Sequence, residues 1–316
     1  MKLLPDNDKL QEGFVEEIPA TPRDKYVNIV VLRETKSHTV FTTEGSNLDV
    51  ERVRRGYDNS GFMDRILMYK RKQIAPERRK GKALLREYDA LTDDDCYLME
   101  GMCTECPDCI LYGYAAGGAD SQESRILTDS GFTIRGFEEL EENIKFNAIE
   151  DSTKGGVAGS AFNSRSHLMP EVYLPTVETL VDVTVNEFIY VLGNILRTTR
   201  YGAESNRQGT IKNHIVDIIF SDSEFTSNLE LSQRMYDYYS ENQAEDLNVN
   251  TARDYLVKAL DELKEEVYTP LHSLREAGEV EPILSKLQEI YSQKSKTEDF
   301  VEDLKADINH YVEETR

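Results

Sequence analysis

Cys96, Cys103, Cys106 and Cys109 are the only four cysteines in the chain, spaced C-x6-C-x2-C-x2-C. Four soft thiolates in so short a segment match the ligand count of a closed structural zinc site, and closed sites do not catalyse. Clustered this tightly, they cannot staple distant parts of a fold, which points to a metal site in a reducing compartment. The segment has almost no apolar core of its own. A bound Zn2+ would knot it, with Met102, Pro107 and Asp108 filling the turns. An iron–sulfur cluster is the rival, because C-x2-C-x2-C also opens bacterial ferredoxin motifs, although their fourth Cys followed by Pro is missing here. Metal-free thiols are a third reading.

Other reaction chemistries find less support. Zinc deaminases need an H-x-E pair ahead of P-C-x-x-C, and no such pair precedes Pro107-Asp108-Cys109. Gly155-Gly156-Val157-Ala158-Gly159-Ser160 is followed by no Lys and preceded by no buried strand, so neither a phosphate loop nor a dinucleotide fingerprint is met. Its neighbour Asn163-Ser164-Arg165-Ser166-His167 offers side-chain donors to a phosphate, though an ordinary surface loop would read the same. A second polar segment, Arg197-Thr198-Thr199-Arg200-Tyr201-Gly202-Ala203, runs on to Asn206, Arg207, Gly209 and Lys212. There Tyr201 could stack on a base while arginines hold the backbone, or the segment could simply end a helix, with Arg set against the helix dipole and Gly as the stop. The five histidines form no triad; His38 lies near Arg33 and Lys36, while His214, His272 and His310 read as structural.

The balance of charge narrows the partners. The chain of 316 residues has 39% hydrophobic residues, enough for a core, and a net charge of −22. Spread evenly, that charge would repel nucleic acid. It is not spread evenly: residues 52–86 hold twelve Lys or Arg against three acids, so this window is +9 and the remainder −31. One face could therefore dock a polyanion, unless the run is merely a solvated surface. Residues 221–316 carry ten bases and twenty-three acids, net −13. No apolar run approaches the ~20 residues of a membrane span. Met1-Lys2-Leu3-Leu4-Pro5-Asp6 continues into acids instead of a signal core, which predicts a soluble cytoplasmic protein.

The elements that must position these groups read as mixed α and β. Tyr26–Arg33 is β-rich, and Thr39–Thr43 is expected beside it as a hairpin or paired edge. Residues 47–57 are expected as a short helix capped by Asn47, residues 62–74 as extended chain, and residues 82–91 as helix. Two short strands are expected around Ser130-Gly131, another at 144–149, and a mobile loop at 151–170. Residues 172–185 alternate like a strand, Asn186 is read as the cap of the next helix, and residues 211–221 return as a strand, half of a ferredoxin-like fold. Further on, Leu256, Leu260, Leu263 and Val267 share a helical stripe, as do Ile283, Leu287 and Ile290, then Phe300, Val301, Leu304 and Ile308.

Over about residues 20–225 this order of parts resembles the backbone subunit of type I-D CRISPR Cascade, a Cas seven-family member of the RAMP superfamily. The Cys block and the Arg-Tyr-Gly-Ala segment at Arg200 to Ala203 carry the resemblance most specifically. It implies an α+β fold with an RRM/ferredoxin-like core and inserted zinc-binding, lid and helical subdomains. The corresponding segments are a discontinuous core at 20–60, 120–150 and 170–225, a basic insertion at 61–95 and a zinc-binding segment at 96–118. A lid or thumb loop follows at 151–169 and an acidic helical region at 226–316. The resemblance further implies that the subunit binds and does not catalyse, with copies stacking along one CRISPR RNA beside other Cascade subunits and presenting its spacer to target DNA. Matched by segment, Arg33, Lys36, His38, Arg54, Arg55, Arg165, Arg200, Tyr201 and Arg207 would hold RNA, and the four cysteines Zn2+. Two other classes stay open. One is a nuclease using Asp129 or Asp151, although no paired carboxylates mark a metal centre. The other is a zinc-ribbon scaffold that binds protein through the acidic tail.

Overall fold

The run from Tyr26 to Thr35 is apolar on both faces, the mark of a strand covered from two sides. In the computed structural model it is the central strand, β1 (Tyr26–Thr35). The structure describes residues 10, 12–45, 47–92, 94–97, 101–115, 121–147, 161–203, 208–242 and 247–315. After β1 come β2 (Val50–Arg54), β3 (Phe62–Met68), α1 (Lys70–Glu87), α2 (Pro107–Tyr112) and two short strands, β4 (Tyr114–Ala115) and β5 (Ser121–Gln122). Next are β6 (Ile126–Thr128), β7 (Gly131–Phe132), α3 (Phe137–Leu140), β8 (Glu141–Asn147), β9 (Ala161–Leu168), β10 (Tyr173–Val181) and α4 (Val185–Arg197). The chain closes with β11 (Arg200–Tyr201), β12 (Gly209–Ser221), α5 (Asn228–Glu241), α6 (Val249–Glu266), β13 (His272–Ser273), α7 (Val280–Ser292) and α8 (Lys294–Thr315).

The main sheet is antiparallel in the order β11-β12-β1-β10-β6. Its strands β12-β1-β10-β6 follow β1-α1-β6-β10-α4-β12 along the chain, which is the split βαβ arrangement of an RRM. Val27, Ile29 and Val31 of β1 point to the side of α1 and α4, where Leu84, Leu85, Phe188, Leu192 and Ile195 join them. Val30 and Leu32 point the other way, onto Leu231 and Met235 of α5 and Leu256, Leu260 and Leu263 of α6. Burial on both faces leaves no wet side to the sheet. The helical stripes read from the tail are therefore core: Ile283, Leu287, Ile290, Phe300 and Leu304 complete the layer over α4.

Several elements differ from their sequence reading. Residues 50–54 form a strand and not a helix, because β2 pairs with β3 from Val50↔Ile66 to Arg54↔Phe62. Thr39–Thr43 supplies only a bridge, Thr39 to Leu168, since β1 is already flanked by β10 and β12. The basic segment at 61–95 is no insertion around 70–87: α1 is the first helix of the core and packs on α4. Gly81 permits this, since a Cβ there would lie 2.2 Å from Tyr190 Oη and 2.5 Å from Asn194 Nδ2. Thr184, not Asn186, caps α4, through a capping box with Glu187. The two strands around Ser130 belong to different sheets, β6 to the main sheet and β7 to β3. Among the described residues no helix is long and apolar enough to cross a membrane.

Candidate functional site

The short helix α2 begins with Pro107 at its first position and places Cys106 and Cys109 one turn apart. Cys96 and Cys103 fold back onto it, and the four Sγ atoms all lie within 4.8 Å of one another. Cys96 Sγ is 3.4 Å from Cys109 Sγ and 3.7 Å from Cys106 Sγ, and Cys103 Sγ is 3.8 Å from Cys109 Sγ. Thiolates set tetrahedrally about 2.3 Å from one ion would be about 3.8 Å apart, so the set fits a single central ion. A polynuclear cluster spreads its thiolates over several irons and would hold them wider. Contact with Cys103 pushes the Cys96 thiol far down, and contact with Cys106 lowers Cys103 to about 7. The same crowding, led by Cys103, pushes Cys106 and Cys109 up. Four thiolates this close need a cation at their centre to ionise together.

One stripe of α1 grips this segment. Arg78, Lys82 and Arg86 recur every fourth residue and so share a helix face. Arg78 Nη2 donates to the buried Asp108 carboxylate at 2.7 Å. Lys82 Nζ lies 3.4 Å from the same carboxylate and donates to the Cys96 carbonyl at 3.0 Å. Arg86 donates to the carbonyls of Thr92 and Asp95. Arg65 of the same basic window is fully buried, bonded to the carbonyls of Thr133, Ile134 and Arg55, and burial pulls its guanidinium down to about 10.

What is left of the basic window forms a ridge. Among the described residues Arg71, Lys72, Arg79 and Lys80 have no ion-pair partner. Burial, then the charge of Arg71, lowers the Lys72 ammonium, against the opposing pull of Asp49. Two grooves flank the ridge. One, of about 660 Å³, runs between α1 and the Cys segment past Arg71, Ile74, Arg79, Arg86 and Tyr97. The other, of about 320 Å³, crosses to Arg197 and Arg200 past Arg79 and Lys80. Arg79 borders both. The sheet face on which an RRM stacks bases is closed, because Val30, Leu32, Tyr173, Val177, Val216 and Ile219 lie under α5 and α6. A single strand therefore has no access to that sheet face.

The family model described as Csc2 Crispr matches residues 13–301. The chain belongs to the Csc2 family. The crystal structure of Thermofilum pendens Csc2 is similar at 18% identity, covering 98% of this chain and 96% of that one, with a TM-score of 0.64. The two therefore share a fold. A chain of a CRISPR RNA-guided surveillance complex aligns over 78% of this chain and 87% of its own at 12% identity, with a TM-score of 0.47. No curated protein matches the chain.

In this Csc2-family chain the sequence-derived RNA residues fall into three groups. Lys36, His38, Arg165 and Arg200 gather at one end of the sheet. Residues 36–40 there are gripped on one side by β9, through Thr39 N–H to the Leu168 carbonyl at 3.1 Å. On the other side, Ala203 N–H bonds the Val40 carbonyl at 2.8 Å. Gly202 makes that approach possible: its φ is +115° and a Cβ would lie 2.8 Å from the Val40 carbonyl. Lys36 pairs with Glu34 and His38 with Glu142, both at 2.8 Å, while Arg165 and Arg200 bond the carbonyls of Gly45 and Gln208. Arg54 and Arg55 are exposed on the separate β2–β3 hairpin, which rests on α5 through Asp237 bonded to the N–H groups of Tyr57 and Asp58.

Arg33 and Tyr201 form the third group, and here the sequence reading is corrected. Both are 0% exposed. Arg33 bonds Glu77 at 2.9 Å and Glu178 at 2.5 Å, and the Tyr201 hydroxyl donates to Glu77 at 2.8 Å. A base cannot stack on a ring buried in that network. Arg207, Asp151 and the loop 151–160 lie outside the described residues, whereas 161–168 of the expected lid is β9. Asp129 uses its carbonyl to accept bonds from Gln73 and Asn228. Sequence reasoning placed Arg71, Arg79 and Lys80 in a basic window that could face phosphate but did not name them among the RNA residues; the seven-residue recurrence of Lys72, Arg79 and Arg86 was the signal that could have singled out this helix face.

Proposed function

We propose that the chain is the guide-binding backbone subunit of a type I-D CRISPR interference complex. Several cytoplasmic copies coat one CRISPR RNA, beside other Cascade subunits, and hold its spacer open for pairing with target DNA. The ridge of α1 carries this reading: a row of cations with no internal partner, continuous through Arg79 with Arg197 and Arg200. Csc2 family membership supports the CRISPR setting. Lys36, His38, Arg165 and Arg200 extend the track at the end of the sheet, and Arg54 and Arg55 meet a neighbouring copy or its RNA.

The four cysteines hold Zn2+, which ties the segment 96–118 to α1 and fixes the ridge without taking part in chemistry. The subunit binds and does not cleave. Among the described residues the cysteines are the one set of three or more Cys, His, Asp or Glu groups that converges as metal ligands would.

Salt dependence of guide binding tests the ridge. For single-stranded RNA each phosphate contact contributes about 0.7 to the slope of log K against log salt concentration, so Arg71→Ala, Arg79→Ala and Arg200→Ala together should flatten it by about 2. Binding should weaken alike for guides of unrelated sequence. An Arg54→Ala, Arg55→Ala pair serves as the comparison. A triple variant with the parent's slope would place the RNA on another surface.

A further inference from the structure

The groove between α1 and the Cys segment has more than charge in it. It is lined by the apolar Ile74 and Ala75, by Arg71 and Arg79, and by Tyr97 next to Cys96 of the converging cysteines. Arg78 and Lys82 also border it, but their charge is answered by Asp108. Tyr97 is 42% exposed, and the Arg86 guanidinium sits 5.1 Å from its centroid. A phosphate track alone has no use for apolar and aromatic lining. At about 660 Å³ the space is within the range that takes small organic ligands, and such sites are apolar with a few placed polar groups.

We infer that this groove takes one nucleobase unstacked from a single strand, laid against the Tyr97 ring and Ile74, with the flanking phosphates on Arg71 and Arg79. An aromatic ring already backed by a guanidinium is a stacking platform open to any base, because every base presents a π-face. The inference rests on the reading of α1 as a nucleic-acid track and adds to it a base-holding position next to the metal segment. Which strand is held there, guide or DNA, is a question of ribose against deoxyribose on the same chemistry.

The chain has no tryptophan, so Tyr97→Trp introduces a single indole reporter. Its emission should be quenched on titration with oligouridine, whereas an abasic oligomer of the same length and charge should bind without quenching. Oligodeoxyuridine, which differs from oligouridine only in the sugar, run in parallel identifies the strand: quenching by either polymer supports the site and names which sugar it accepts. In the otherwise native chain, Tyr97→Ala should weaken oligouridine binding about tenfold and Tyr97→Phe should restore it, with abasic binding unchanged, as stacking on one ring requires. The indole signal keeps the inference testable should Tyr97→Ala disturb the adjacent Cys96. Equal binding of oligouridine and abasic oligomer with no quenching overturns the base site and leaves the α1 track standing. Failure of both to bind overturns the track itself.

Discussion

Arg33→Met is expected to destabilise the fold by about 3–5 kcal/mol, because it strips the cation from two carboxylates with no access to water. Glu77 and Glu178 are both 0% exposed and one guanidinium serves both. Burial, then the proximity of Glu77, pushes Glu178 well above the ordinary carboxylate range, while Glu77, Tyr201 and Glu178 hold the Arg33 guanidinium charged against its burial. The network is thus one cation, one carboxylate and one retained proton. A folded-state pKa raised in this way contributes stability that is complete below the unfolded value of 4.5 and is lost as pH rises toward the folded value. Glu178→Gln keeps an acceptor for Arg33 and removes the proton, so it should be far milder than Arg33→Met and should flatten the decline in stability above that value. Urea unfolding across pH checks both. If Arg33 instead served RNA, its replacement would weaken binding and leave the unfolding midpoint in place.

Cys109→Ser should cost on the order of 5 kcal/mol and release one Zn2+ per chain, less than the ~10–16 kcal/mol by which zinc drives folding of isolated fingers, since this segment is also packed. The damage should not stay local. Cys96, Cys106 and Cys109 lie in the same buried cluster as Leu84, Leu85 and Leu111, and α1 is tied to the segment through Asp108. Loss of the ion should therefore raise amide exchange along α1 as well as in residues 101–112, and weaken RNA binding with it. Elemental analysis, thermal melting with and without a chelator, and hydrogen exchange follow the three effects. Iron in place of zinc, or a melt indifferent to chelation, would remove the structural-zinc assignment.

How much of this could be read in advance follows from sequence separation. The converging cysteines were legible because all four fall in one short segment, so spacing alone defines the set. Strands β1, β10 and β12 and the stripes of α6, α7 and α8 were legible because both faces or one helical face must be apolar over many residues. The charge window was legible as a total but not in its partition. Whether Arg65, Arg78 or Lys82 turns inward depends on the carbonyls of Thr133 and Ile134 and on Asp108, which no local pattern brings near. Arg33 and Tyr201 were misassigned for the same reason, since their partners Glu77 and Glu178 come from α1 and β10. β2 was misread because Asn47 imitates a helix cap and only the pairing with β3 shows it to be a strand. The acidic tail looked separable by charge, yet α5 and α6 close the sheet face that would otherwise stack bases.

On the proposed function, the guide would run along the α1 ridge on the outside of each copy, and successive copies would share one strand. A net charge of −22 opposes self-association, so assembly should await RNA, which brings copies to high effective concentration on their basic faces. Native mass spectrometry of the chain co-expressed with guides of graded length measures this directly. The expected result is a monomer without RNA and, with RNA, a number of protein copies that rises as the guide lengthens. A fixed ratio of protein to RNA at every guide length, or an RNA-free oligomer of set size, would contradict it.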